Sequence, residues 1–78
     1  MERADLVGLG LVVKRLRRKA GLTQAVVAQR AGISIRGLRE LEYGEVEPHW
    51  GTLRRIAKGL DVRLSDLLKA VEEAASGN

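Results

Sequence analysis

Apolar residues along this chain recur at three- and four-residue spacings, the period of helices with one buried face. Leu9, Val12, Val13, Leu16 and Ala20 form such a stripe and predict a first helix over about Asp5–Ala20. Gly21 fits its stop, and the bases of its last turn suit the negative end of the helix dipole. Thr23 is a good N-cap for a second helix, about Gln24–Ala31, with Val27 and Ala28 inward. Gly32 can take the left-handed conformation that ends it sharply. Ser34 caps a third helix, about Ile35–Tyr43, with Leu38 and Leu41 inward and Gly44 at its end. A loop over Gly44–Pro48 leads to a fourth helix, about His49–Leu60, whose Leu53, Ile56, Ala57 and Leu60 share a face. After a short connection, Asp61–Arg63, the apolar Leu64, Leu67, Leu68 and Val71 predict a fifth helix, about Leu64–Glu73. Residues 72–78 are small and polar and are expected to fray. The pattern predicts one all-α domain over residues 1–78, without internal repeats.

The informative stretch is Thr23–Gly44. Two short helices, each opened by a hydroxyl cap, flank a turn of three to four residues centred on Gly32. This is the spacing of a helix-turn-helix. The small Ala28 lets the two helices approach, and the third helix then projects its N-terminal residues outward.

Composition narrows the chemistry. With 78 residues, no Cys and one His, the chain offers no disulfide, no thiolate metal site and no Cys nucleophile. Ser34, His49 and Asp61 form no convincing catalytic set, and Gly8-x-Gly10 follows no strand, so it is no phosphate loop. No cofactor, metal or enzymatic activity is expected. The nearly unbroken apolar run Leu6–Val13 is far short of the ~20 residues that span a bilayer. It is bordered by acids before and bases after, unlike a signal peptide, so a cytoplasmic protein is expected. A domain this small has a marginal core, which makes extra burial in a dimer plausible on size alone.

The net charge of +4 conceals a strong polarity. Leu6–Arg39 contains Lys14, Arg15, Arg17, Arg18, Lys19, Arg30, Arg36 and Arg39 and no acid, a charge of +8. Glu40–Asn78 has eight acids against five bases. An anionic partner for the first half is one reading, and a set of solvated helix faces is the other.

The segments RLRRKAGLTQAVVAQRAGIS, LRELEYG, Pro48, LRRIAKGLDV and LSDLL, taken in order, resemble the Cro/C1-type (XRE-like) helix-turn-helix family of phage and bacterial regulators. The resemblance covers about Val12–Leu68. It implies a lambda-repressor-like fold of five helices and binding of double-stranded operator DNA, usually as a homodimer. By the same resemblance, Gln24 contacts a phosphate, and Ile35, Arg36 and Glu40 stand where family members reach base edges. Gly37 and Arg39 share that outer surface, and Ser34 adjoins it as the cap. Arg36 is the best base reader, since Arg can bind guanine O6 and N7 bidentately. Ile35 can meet a thymine methyl. Glu40 can accept from a cytosine amino group or orient Arg36 as an i,i+4 partner; the second role is preferred, because a carboxylate near phosphates costs energy. Arg39 has phosphate or base as its target. For each of these residues the plain alternative is a solvated helix surface, and for Gln24 an ordinary first-turn residue.

Gly37 costs about 1 kcal/mol relative to Ala inside a helix. It either allows close approach to DNA or is merely tolerated. Arg17 and Glu42 match a family pair that links the first helix to the end of the third, a structural role that suits an Arg fork. Lys14, Arg15, Arg18 and Lys19 can add positive field, or meet anionic lipid; Arg54, Arg55 and Lys58 read as solvated. Tyr43 stands where the family often has a polar phosphate-contacting residue. Glu45-Val46-Glu47 departs from the family, which is often basic there, and leaves room for a protein partner instead of DNA. Trp50 is expected in the core, with a dimer contact as the second reading; Val62 and the fifth helix are further dimer candidates. A phage-type repressor, a restriction–modification controller and an antitoxin share these features.

Overall fold

The computed structural model describes residues 2–76. Five helices follow in chain order: α1 (Arg3–Lys19), α2 (Gln24–Ala31), α3 (Ile35–Glu42), α4 (Trp50–Gly59) and α5 (Leu64–Ala75). No strand is present among the described residues. The local signals act as their chemistry predicts. Thr23 Oγ1 accepts from Val26 N–H at 3.2 Å, and Ser34 Oγ accepts from Gly37 N–H at 2.9 Å. Each bond satisfies a first-turn amide that has no partner within its helix. Gly32 ends α2 at φ 69°, a conformation that a Cβ disfavours.

The core is built from the predicted faces. Leu9, Val12, Val13, Val27, Ala28, Leu38, Leu41, Leu53, Ile56 and Leu67 are all buried in it. α2 packs on α4, and α1 packs on α5 and α3, so α3 is held from behind by α1 and α2. One face of α3 is left uncovered.

Three expectations need correction. Trp50 is not in the core: it is 60 % exposed. It opens α4, and the buried stripe of that helix begins one turn later at Leu53. Ala20 is the exposed cap of α1 rather than part of its buried stripe. α5 also continues past the expected frayed start at residue 72, through Ala75, with the Ser76 hydroxyl donating to the Glu73 carbonyl at 2.7 Å. Positions 77 and 78 of the expected tail lie outside the described residues. The other boundaries move by two residues or fewer. α1 starts at Arg3, where the Asp5 carboxylate accepts from Glu2 N–H at 3.3 Å; α3 ends at Glu42, and His49 is the cap of α4.

Candidate nucleic-acid interface

The two ends of α3 have different surroundings. At its C-terminal end Glu42 is buried against Arg17 of α1. Arg17 Nε donates to Glu42 Oε2 at 2.8 Å and Nη2 donates to Oε1 at 3.1 Å, a two-pronged pair. The two side chains are 10 % and 3 % exposed. A third donor, Nη1, reaches the Leu22 carbonyl at 3.0 Å. One guanidinium therefore ties α1, the α1–α2 turn and α3 together. A carboxylate in the last turn of a helix opposes the helix dipole, and Arg17 offsets that. The hydrogen bond to Glu42 raises the Arg17 pKa above its ordinary value, against the effect of burial. The stability from a raised base persists below its unfolded pKa and is lost only as pH climbs through the folded one. For an arginine that window is strongly alkaline, so Arg17 stays charged under ordinary conditions.

This junction is close because of Gly10. A Cβ at Gly10 would lie 2.5 Å from the backbone carbonyl oxygens of Leu41 and Glu42. Only a glycine lets α1 cross the end of α3 at this separation. From the sequence alone, Gly10 stands out only as half of the Gly8-x-Gly10 pair. The usable signal was a glycine sitting beside Leu9 on the buried stripe of a helix.

The first turn of α3 faces outward, and Arg39 of its last turn is exposed with it. Ser34, Ile35, Arg36 and Arg39 are exposed, and Gly37 and Glu40 are half-buried. Arg36 Nε lies 3.3 Å from Glu40 Oε1, the expected i,i+4 pair, and the Arg36 side chain is 90 % exposed. Such a pair adds only a few tenths of a kcal/mol, ~0.3–0.5. Glu40 thus faces Arg36 rather than standing alone on the surface. Gly37 has one near neighbour for a Cβ, Ser34 Oγ at 3.1 Å.

Gln24 of α2 joins two residues of the last turn of α3, Glu42 and Arg39. Its Nε2 donates to Glu42 Oε1 at 3.0 Å, and its Oε1 accepts from Arg39 Nε at 3.2 Å. The expected phosphate ligand is therefore engaged inside the protein through both atoms of its amide. No local signal announces the bond to Arg39, which is fifteen residues away. Tyr43 is exposed as the cap residue after α3. Glu45 and Glu47 are exposed in the following loop, while Val46 between them packs on the core. Lys14 is half-buried, and Arg15, Arg18 and Lys19 are exposed. Arg54 and Lys58 line an open groove with Val62 and Arg63, on α4 and the turn that follows it.

Among the described residues, no cluster of three or more His, Cys, Asp or Glu is arranged to hold a metal ion, and no helix is long and apolar enough to cross a membrane. What the fold and this surface define is a helix-turn-helix with its second helix presented outward. The helix-turn-helix domain family matches residues 9–71. An uncharacterized HTH-type transcriptional regulator, y4dJ of Sinorhizobium fredii, is 38 % identical over 77 residues, covering 99 % of this chain and 97 % of that protein. The chain belongs to the helix-turn-helix family of transcriptional regulators. Its fold is similar to that of the restriction-modification controller protein C.AhdI from Aeromonas hydrophila, with TM-score 0.80 and 28 % identity over 82 % of this chain and 97 % of that one. It is also similar to that of the clp gene regulator ClgR from Corynebacterium glutamicum, with TM-score 0.87 and 24 % identity over 92 % of this chain and 77 % of that one.

Proposed function

We propose that the protein is a cytoplasmic, sequence-specific DNA-binding regulator that acts as a homodimer. The N-terminal end of α3 enters the major groove, and α2 bridges to the phosphate backbone. The observation that carries this reading is the exposed row Ile35, Arg36 and Arg39 on the outer helix of the motif, within a window that holds bases and no acid. Arg36 reads guanine, Ile35 meets a thymine methyl, and Glu40 orients Arg36. Arg39 and the Tyr43 hydroxyl reach phosphate or base. The first turn of α2, which Gln24 opens, faces a phosphate with its unpaired amides. Gly37 leaves room for the duplex to approach beside Ser34. Dimerisation relieves the marginal core of so small a domain, with exposed Trp50 among the apolar surface available for it. A dimer requires a palindromic operator with half-sites about one turn, ~34 Å, apart.

Selection of bound DNA from a random pool at several salt concentrations tests this. The expected result is an enriched palindrome whose affinity falls steeply with salt. A second reading is favoured by one feature, the exposed Glu45 and Glu47 beside α3, which repel phosphate. In that reading the same surface binds a protein, as an antitoxin-like module would. No enriched sequence, together with salt-insensitive capture of a protein, would select it over DNA binding.

A further inference from the structure

The Gln24 amide has a forced orientation. A carboxylate only accepts and a guanidinium only donates, so the amide nitrogen must face Glu42 and the amide oxygen must face Arg39. Glu42 is itself held by two N–H groups of Arg17. An unbroken chain of side-chain hydrogen bonds therefore runs from the buried Arg17, through Glu42 and Gln24, to the outer face of α3 at Arg39. Arg36 has no such tether: its one ion pair is with Glu40 on its own helix, at 3.3 Å and in solvent. The Arg39–Gln24 bond is itself exposed, but it joins Arg39 to a second helix whose Gln24 is held in turn by the buried Glu42. An exposed arginine loses much rotamer entropy when it is fixed on a ligand, and one already tethered loses less. Because Gln24 takes only Nε of the exposed Arg39, its bond leaves the two terminal nitrogens of that guanidinium to serve a phosphate or a base edge.

We propose that Gln24 is a positioning residue, which fixes the Arg39 guanidinium before DNA arrives and affects DNA affinity through Arg39 rather than through a side-chain bond of its own to phosphate. The inference rests on the DNA-binding reading above. It differs from the family expectation for Gln24 in one measurable respect: the effect of removing Gln24 must vanish once Arg39 is gone.

The experiment is a double-mutant cycle on DNA affinity with Gln24→Ala, Arg39→Ala and both, using the sequence enriched in the selection. NMR relaxation of the arginine Nε–Hε groups is measured alongside in the protein without DNA. Gln24→Ala is expected to weaken binding about three- to tenfold, the range of one net hydrogen bond. The double variant is expected to bind no more weakly than Arg39→Ala alone. In the wild type the Arg39 Nε–Hε group is expected to be ordered, and in Gln24→Ala to be as mobile as that of Arg36. A merely structural role for Gln24 would leave the Arg39 signal unmoved. Losses that multiply in the double variant would mean that Gln24 touches DNA directly, and would overturn the inference, as would an Arg39 that is mobile in the wild type. Gln24→Met, similar in length but without the amide, serves in the same cycle if the Ala variant does not fold. A wild type that enriches no DNA sinks the functional reading. A wild type that binds, with losses that multiply, sinks only this inference.

Discussion

The two ends of α3 are built on opposite principles, although the helix has only eight residues. Its C-terminal end is buried, charged and fully partnered: Glu42 meets Arg17 and Gln24, and Gly10 brings the α1 backbone against it. Its N-terminal turn is capped by one hydroxyl and presents the solvent-exposed Arg36, with Arg39 exposed one turn further on and held by Gln24. Burying a charge is costly unless its partners are in place, so the inner end tolerates little change. The outer end has few contacts to lose. The contrast separates holding from reading: one end sets where the helix sits, and the other is left available for a ligand.

The largest effect should come from breaking the inner end. Glu42→Ala leaves the Arg17 guanidinium buried with two of its three hydrogen bonds unmade, and is expected to cost ~3–5 kcal/mol, as removal of one partner of a buried pair does. Total stabilities of domains are only about 5–15 kcal/mol, so urea unfolding should shift markedly or the variant should fail to fold. An unchanged unfolding midpoint would sink the view that this pair anchors α3. Next in size is Gly10→Ala. The added methyl would sit 2.5 Å from two backbone oxygens that cannot swing aside as a side chain can. The helices must separate, at a cost of about 1–3 kcal/mol, visible in the same unfolding experiment. A variant as stable as the wild type would show that the crossing of α1 and α3 has slack.

How much of this was legible depends on whether the signal was local. Thr23 and Ser34 cap the helices they precede, and Gly32 turns the chain, because each effect is settled within a few residues. The Arg17–Glu42 pair was legible only through the family resemblance, since nothing in the chemistry of two residues 25 apart forces them to meet. Gly10 and the Gln24–Arg39 bond were missed for that reason: their meaning lies in the packing of α1 on α3 and in the meeting of α2 with α3. Trp50 differs from expectation because apolar size alone does not place a residue at a helix start in the core: the buried stripe of α4 begins at Leu53. Ile35, Arg36 and Arg39, which the family resemblance assigns to a DNA face, are exposed on α3; their contacts with DNA belong to the proposed function.

The outer end should respond in binding and not in folding. Arg36→Ala removes a side chain that is 90 % exposed, so the unfolding midpoint should stay within about 0.5 kcal/mol of the wild type. Specificity at one base pair should relax by roughly 1–3 kcal/mol, measured by repeating the selection with the variant. A uniform loss over all sequences would make Arg36 a phosphate contact, and would leave base reading to Ile35 or Arg39.

The smallest change, Gly37→Ala, sharpens the comparison most. Helix propensity favours Ala here by about 1 kcal/mol. Against this, the new methyl would lie 3.1 Å from Ser34 Oγ, so the capping hydroxyl must yield by a few tenths of an ångström. The cap bond is worth a comparable ~1 kcal/mol, but it is strained rather than lost. The two effects nearly cancel, and the stability should rise by less than about 0.5 kcal/mol, since a surface side chain yields at little cost. Affinity for the selected DNA then decides what the glycine is for. If Gly37→Ala folds as well and binds more weakly, the outer end of α3 gives up helix propensity for close approach to the duplex. If it folds as well and binds equally, the glycine is only tolerated, and the reading surface narrows to the side chains of Ile35, Arg36 and Arg39.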